Sequence, residues 1–424
     1  MSSFARAKFQ FTRSVMMTDN IMEMPSAVPA TRVNKLKRRF VYACKMVPLY
    51  AWQRIVRRTP RGRIHLVIAI ADHFEPSSLR GDFAGYAPRD VQEKRVEKWC
   101  MEYTANFREF RDSEGRPFIH TYFYPAEQYD RALVEQVAEL CHSGWGELEI
   151  HLHHGVTETA TAASTRAQIL SFRDALAHEH GCLSYEDGDA DPKYAFVHGN
   201  FALANSAGGF GCGVNNEMEI LAETGCYVDM TYPTSAFHPA QIAKLNSMYE
   251  CALPLHERAP HRHGRELKAG RRISTLPFLI QGPSALDFDR NSRNTIGRIE
   301  NGALTAANPP SVRRLELWKR AAITVHDRPD WLFIKLGTHG MNPTDTEMIL
   351  GRATQEFLKK LIQGAPERQE TLHFVSAREM ANMALAACDG REGNPGDYRD
   401  YRYRLAEGSL RRNSRIEATS AVKA

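Results

Sequence analysis

The sequence predicts an α/β fold whose parallel sheet closes into a (β/α) barrel. Three observations predict it. Short apolar runs rich in β-branched residues alternate with helical segments of ten residues or more, the pattern of βαβ units. Five such strand-like runs precede residue 235. No Gly-x-Gly-x-x-Gly turn follows the first run, so a barrel is expected in preference to an open dinucleotide-binding sheet.

Residues 64–71 (IHLVIAIA) are almost continuously apolar, as befits a strand covered on both faces. Residues 88–112 then show helical spacing of Val91, Val96, Trp99, Tyr103, Phe107 and Phe110. The alternation continues with strand-like 117–124, helical 126–142, strand-like 147–153 and helical 164–180. Next come the short apolar run 194–198, helical 215–224 and strand-like 226–230. Residues 253–312 are rich in Arg, His, Pro and Gly and read as an insertion of long loops, with one or two short strands around 273–280. Regular structure resumes with a helix at 312–324, a strand at 331–336, a helix at 346–363, a strand at 371–375 and a helix at 377–387. The expected organisation is a basic extension over 1–62, the barrel over 63–390 and a polar, Arg-rich surface tail over 391–424.

Hydrophobic residues make up 43% and charged residues 25% of the 424, values that exclude a fibrous or largely disordered chain. The net charge of +5 is unevenly spread. Residues 1–63 carry 14 Lys/Arg and two acids, Asp19 and Glu23, whereas the remainder carries 41 basic and 48 acidic residues. The body therefore gives no reason to expect nucleic acid, and the arm suits an anionic partner. Within the arm, residues 40–52 (FVYACKMVPLYAW) form a short apolar stretch followed by Arg54, Arg57 and Arg58. That pattern suits a helix lying in a membrane interface, or a helix packed on the outside of the body. The eight cysteines are scattered without a Cys-x-x-Cys pair, so they are expected to be reduced and buried. With no secretory pattern in the first 20 residues and no run of 18 apolar residues, the expected location is cytoplasmic, with peripheral contact at the inner membrane face through the arm.

In a parallel barrel, reactive side chains stand at the carboxyl ends of strands. The ends here read Asp72-His73-Phe74-Glu75, His151-Leu152-His153-His154, His198-Gly199-Asn200, Asp229 leading to Tyr232, and Thr338-His339. His151 and His153 are two apart and project from one face of a strand, so both imidazoles can reach one metal ion. A third ligand from the first strand, Asp72 or His73, completes a facial set with an open position for water. His339 is placed to act as general acid. A structural role competes for His198, and Asp229 reads equally as a cap or as a pocket residue. His261 and His263 read as solvated loop residues.

At these residues the chain resembles the polysaccharide deacetylase superfamily (NodB-homology, glycoside hydrolase/deacetylase barrel) over roughly residues 63–390. The resemblance implies an irregular, seven-stranded barrel and a metal-dependent deacetylation of an N-acetylated sugar, polysaccharide or glycan precursor, with zinc as the default metal. It pairs Asp72-His73 with the family's Asp-Asp motif, Asp72 as base and His73 as ligand. It matches His151, His153 and His154 to the two-histidine motif, and 334–339 to the late motif ending in a histidine. The departures are Asp-His for Asp-Asp, a histidine spacing of two or three in place of four, and residues 196–200 where the family has an Arg-containing motif. Catalytic residues are then Asp72 and His339, metal ligands His73, His151 and His153, and substrate-binding residues His198, Asn200, Asp229 and Tyr232. The competing readings are an inactive barrel that binds a glycan or a protein, and a glycosidase using Asp72 with Glu75 or Asp229.

Overall fold

The computed structural model describes residues 48–406 apart from 54, 58–61, 80–84, 155–158, 210, 235–237, 243 and 288–297. Most of the basic arm and the end of the tail lie outside the described residues. The strands are β1 (Ile64–His73), β2 (His120–Pro125), β3 (Gly146–Leu152), β4 (Ser184–Glu186), β5 (Tyr194–His198), β6 (Cys226–Asp229), β7 (Met248–Cys251), β8 (Gly264–Glu266), β9 (Phe278–Ile280), β10 (Ala285–Asp287), β11 (Arg298–Glu300), β12 (Ala303–Leu304), β13 (Trp331–Thr338), β14 (Glu370–Val375) and β15 (Tyr403–Leu405). Eleven of them form one large, mostly parallel sheet, in the path β12-β13-β1-β2-β3-β5-β6-β9-β7-β8 with β14 also on β1. Only β7 runs against the others. The protein is thus a mixed α/β structure, with eight described α-helices following β1.

β1 is the hub. It pairs with β13 along almost its whole length. On its other edge it pairs with β14 over residues 64–69 and with β2 over residues 71–73. Its alternating side chains feed two separate cores. Ile64, Leu66, Ile68 and Ile70 pack with Val96, Trp99 and Leu133 from the helices Arg89–Phe107 and Arg131–Leu140. Val67, Ala69 and Ala71 pack with Phe123, Ala195, Val197 and Phe333 and with the helix Ala377–Cys388. That helix is buried at every position but Glu379, which its mostly small, apolar composition permits. A capping box between Ser376 and Glu379 starts it.

The expected surface tail is corrected over its described part. Arg399 and Tyr403 are buried, and β15 pairs with β4. The cause is Arg378 of the buried helix, which donates to Glu147, to Asp400 and to the carbonyls of Arg399 and Tyr403 and so draws the segment onto the body. The insertion contributes more strand than expected, β8 to β12. Six of the seven described cysteines are buried, and all seven are free thiols. Among the described residues no helix is long and apolar enough to cross a membrane.

Candidate metal centre

The face of β1 that carries Val67, Ala69 and Ala71 ends at His73, two residues further on. In β3, Leu148, Ile150 and Leu152 enter the helix-covered core, which leaves His151 and, beyond the strand, His153 on the other face. In β13, Leu332, Ile334 and Leu336 take the helix-covered core, and His339 follows the opposite parity just past the strand end. Four histidines from three parallel strands therefore converge at one end of the sheet. Their rings are close: His73 lies 4.6 Å from both His151 and His339, and His151 lies 4.7 Å from His153, between centroids.

Glu75 supplies the carboxylate. Its Oε1 is 3.1 Å from His151 Nε2, 3.5 Å from His153 Nε2, and 3.9 Å from both His73 Nδ1 and His339 Nδ1. Metal–ligand bonds of about 2.0–2.2 Å in a tetrahedral set place neighbouring ligand atoms roughly 3.4 Å apart, so these separations fit a shared ion. The tautomers fit as well. His151 Nδ1 donates to the Val197 carbonyl at 2.8 Å, and His153 Nδ1 bonds Glu127 Oε1 at 2.6 Å, so each Nε2 could turn its lone pair to a cation that replaced its hydrogen bond to Glu75. His73 Nδ1 is buried with no hydrogen-bond partner, an orphan that a cation would satisfy. Gly199 makes room for the set, since a Cβ there would meet the His153 ring at 2.3 Å.

Electrostatics follow from the packing. Burial, with His339 and His151 beside it, holds His73 well below the usual imidazole range. Burial also lowers His151, against the hydrogen bond it gives to Glu75. Burial disfavours a charged His153, yet the Glu127 and Glu75 carboxylates lift its pKa to about 10. Burial acts to raise Glu75, but hydrogen bonds from His151 and His153 keep it well below the carboxylate range. Leaving His339 aside, two carboxylates face one imidazolium proton. Exchange of that proton for a divalent cation balances the charge.

Two further groups of candidate ligands give different readings by the same tests. His154, His198 and Glu217 are buried, but His154 Nε2 and Glu217 Oε1 are 2.6 Å apart, a hydrogen bond. His198 Nδ1 accepts from the Asn200 N–H at 3.1 Å, which puts the proton of the neutral ring on Nε2. The third group, Asp112, Glu114 and His373, already holds a cation: Arg399 bonds Asp112 at 3.0 Å and Glu114 at 3.1 Å.

The structure brings His73, His151, His153 and His339 together and leaves Asp72 out. Asp72 stands on the opposite face of β1, fully buried; its Oδ2 is 3.0 Å from His120 Nδ1, and its Oδ1 accepts the Gly340 N–H at 2.6 Å. Two adjacent strand residues cannot face one site, so the expected placement of Asp72 beside the histidine ligands is corrected. Asn200 donates from Nδ2 to the His154 carbonyl. Asp229 accepts from the Thr231 N–H and hydroxyl, and burial pushes its pKa up to about 7. Tyr232 donates to the Phe201 carbonyl and lies 3.0 Å from His261 Nε2. His261 itself is fully buried, not the solvated residue expected of an Arg-rich loop. Glu127 and Glu217 went unmarked in the sequence, and Glu75 entered only as a second acid for a glycosidase. The parity of Glu75 with His73 was the available signal; Glu127, past the end of β2, carries none. No protein-family model matches the chain, and no curated protein matches it.

Proposed function

We propose that the protein is a metal-dependent hydrolase that deacetylates an N-acetylated sugar, polysaccharide or glycan precursor, as a divergent relative of the polysaccharide deacetylases on an irregular, seven-stranded (β/α) barrel. One observation carries the reading: four histidines at the carboxyl ends of parallel strands surround one glutamate oxygen at 3.1 to 3.9 Å. His73, His151, His153 and Glu75 are the residues that would hold the ion. A bound divalent cation, zinc being the usual choice for this donor set, polarises a carbonyl and acidifies water.

The rest falls to the chain's own groups. Val197 and Glu127 fix the ring orientations of His151 and His153 through their Nδ1 atoms. His339, at the rim with a fifth of its side chain exposed, can reach substrate and moves the proton from the attacking water to the departing amine. Asp72 positions that histidine. Its carboxylate binds the Gly340 N–H next door and fills the space a Cβ of residue 340 would need, 2.3 Å from Asp72 Oδ2. With Asp72 turned to the other face of β1, the carboxyl pair a glycosidase requires is not favoured.

Elemental analysis after zinc loading and dialysis tests the reading, together with an assay of acetate and reducing ends released from N-acetylated oligosaccharides. We expect near-stoichiometric metal in the wild type, none in His151→Ala/His153→Ala, and free acetate without new reducing ends. His339→Ala should retain the metal and lose about 10²–10⁴-fold in turnover. A wild type that never holds metal would sink the proposal.

A further inference from the structure

The stretch that joins the basic arm to β1 is helical over residues 48–53 and 55–56. One face of it is fastened to the body. Tyr50 bonds the Ser284 hydroxyl. Gln53 donates to the Leu245 carbonyl at 2.8 Å and accepts from Asn246 at 3.0 Å. Arg57 bonds the Asn246 carbonyl and pairs with Glu266 at 2.8 Å. The opposite face is apolar and uncovered by any described residue: Trp52 is 60% exposed, Ile55 73% and Val56 50%. Spaced i, i+3, i+4, these three form one ridge. They account for half of the exposed large hydrophobic side chains among the described residues, so the exposure is concentrated rather than scattered.

The place of this ridge is set by the sheet. β9 runs parallel to β6, so Ser284, just past Ile280, lies at the carboxyl end of the parallel strands. β7 is antiparallel to β9, with Met248 opposite Ile280, so Leu245 and Asn246 lie at that same end. So does Glu266, opposite Tyr249 in β8. His73, His151, His153 and His339 stand at this end of the sheet too. The sequence around the ridge is strongly cationic: residues 32–63 contain 11 Lys/Arg and no Asp or Glu.

A rigid apolar ridge beside a polybasic segment supplies both signals that stable interfacial binding requires. We propose that Trp52, Ile55 and Val56 insert into the interface of an anionic phospholipid bilayer, with the 32–63 segment on the headgroups, and that this holds the histidine end of the sheet towards the membrane. Joined to the hydrolase reading, on which this last step rests, the substrate is a glycan carried on a lipid.

Co-sedimentation of the full chain with phosphatidylglycerol-containing vesicles and with pure phosphatidylcholine vesicles tests the docking, with Trp52 fluorescence as a second readout. The wild type should bind the anionic vesicles, with a blue shift of tryptophan emission that the variant lacking Trp52 does not show, and should be weakened by salt. The triple variant Trp52→Ser/Ile55→Ser/Val56→Ser should bind at least roughly tenfold more weakly, from the apolar area lost, with unchanged metal content and circular dichroism. Three results would overturn the proposal: no wild-type binding to either vesicle, equal binding by the triple variant, or a ridge-dependent dimer of the chain in place of vesicle binding. Because neither readout uses acetate release, a failed membrane test leaves the hydrolase test standing, and the converse holds.

Discussion

Glu127 would govern a bound ion without touching it. Its carboxylate bonds His153 Nδ1 at 2.6 Å and thereby turns Nε2 towards Glu75. Glu127→Gln can still accept that hydrogen bond but loses the charge, so we expect zinc affinity to fall about 10- to 100-fold while the fold persists, as measured by chelator competition. The neighbours Asp72 and His73 separate just as cleanly. His73→Ala should abolish stoichiometric metal. Asp72→Ala should keep it and instead lower stability by about 1–3 kcal/mol for each buried donor left unpaired, Gly340 N and His120, read from a denaturation midpoint. This division was legible in the sequence, because the period-2 rule that pairs His151 with His153 also puts Asp72 on the other face from His73. The same parity points to Glu75, but β1 ends at His73, and beyond a strand end parity does not by itself fix where a side chain stands.

Among the elements, the runs covered on both faces were the most readable, since a continuous apolar stretch has few other uses. β1, β3, β5 and β13 all begin within a residue of their expected starts. The helix expected over 346–363 is two helices, Pro343–Leu350 and Arg352–Gly364, divided at Gly351. The chain is extended there, and a Cβ on residue 351 would lie 2.4 Å from the Glu347 carbonyl, so the break needs a glycine that periodicity alone passes over. The C-terminal segment was misjudged for a related reason. Its polar residues looked solvated because their partners sit on the buried helix Ala377–Cys388, far from local sequence pattern. Arg378 is the tie, 3% exposed and bonded to Glu147 as well as to the 399–403 backbone. Arg378→Ala leaves Glu147 buried without its cation. The expected cost is about 3–5 kcal/mol, with earlier proteolysis after residue 390, whereas the zinc affinity of the correctly folded fraction should be unchanged.

For the molecule as a whole, burial holds several interior imidazoles below their usual range. Burial lowers His261 to about 3 and His238 to about 4, and burial with His65 and Arg399 nearby lowers His373 to about 4, against the pull of Glu114. None of the three belongs to the proposed metal set. Each has a folded pKa below its unfolded value near 6.5, so each contributes stability that is fully present above 6.5 and is lost as pH falls towards its folded pKa. In that window the unfolded chain binds a proton that the folded chain refuses, and each group steepens the loss by at most about 1.4 kcal/mol per pH unit. Asp229 acts with the opposite sign. Its folded pKa near 7 lies above the carboxylate value, so its contribution is present below about 3.8 and is lost as pH rises through 7. His65, His73, His151 and His198 are lowered as well, so the lowered histidines outnumber the raised carboxyls Asp229, Asp112, Glu147, Glu149 and Asp345, and denaturant midpoints should therefore fall between pH 6.5 and 4. His261 gives the cleanest single test, being fully buried and joined to Tyr232 at 3.0 Å. His261→Gln keeps a polar partner for Tyr232 but removes the titration, so its midpoint should be lower at pH 7 and decline less steeply below 6.5. A variant that tracks the wild-type slope would mean that acid acts through other groups than the buried imidazoles.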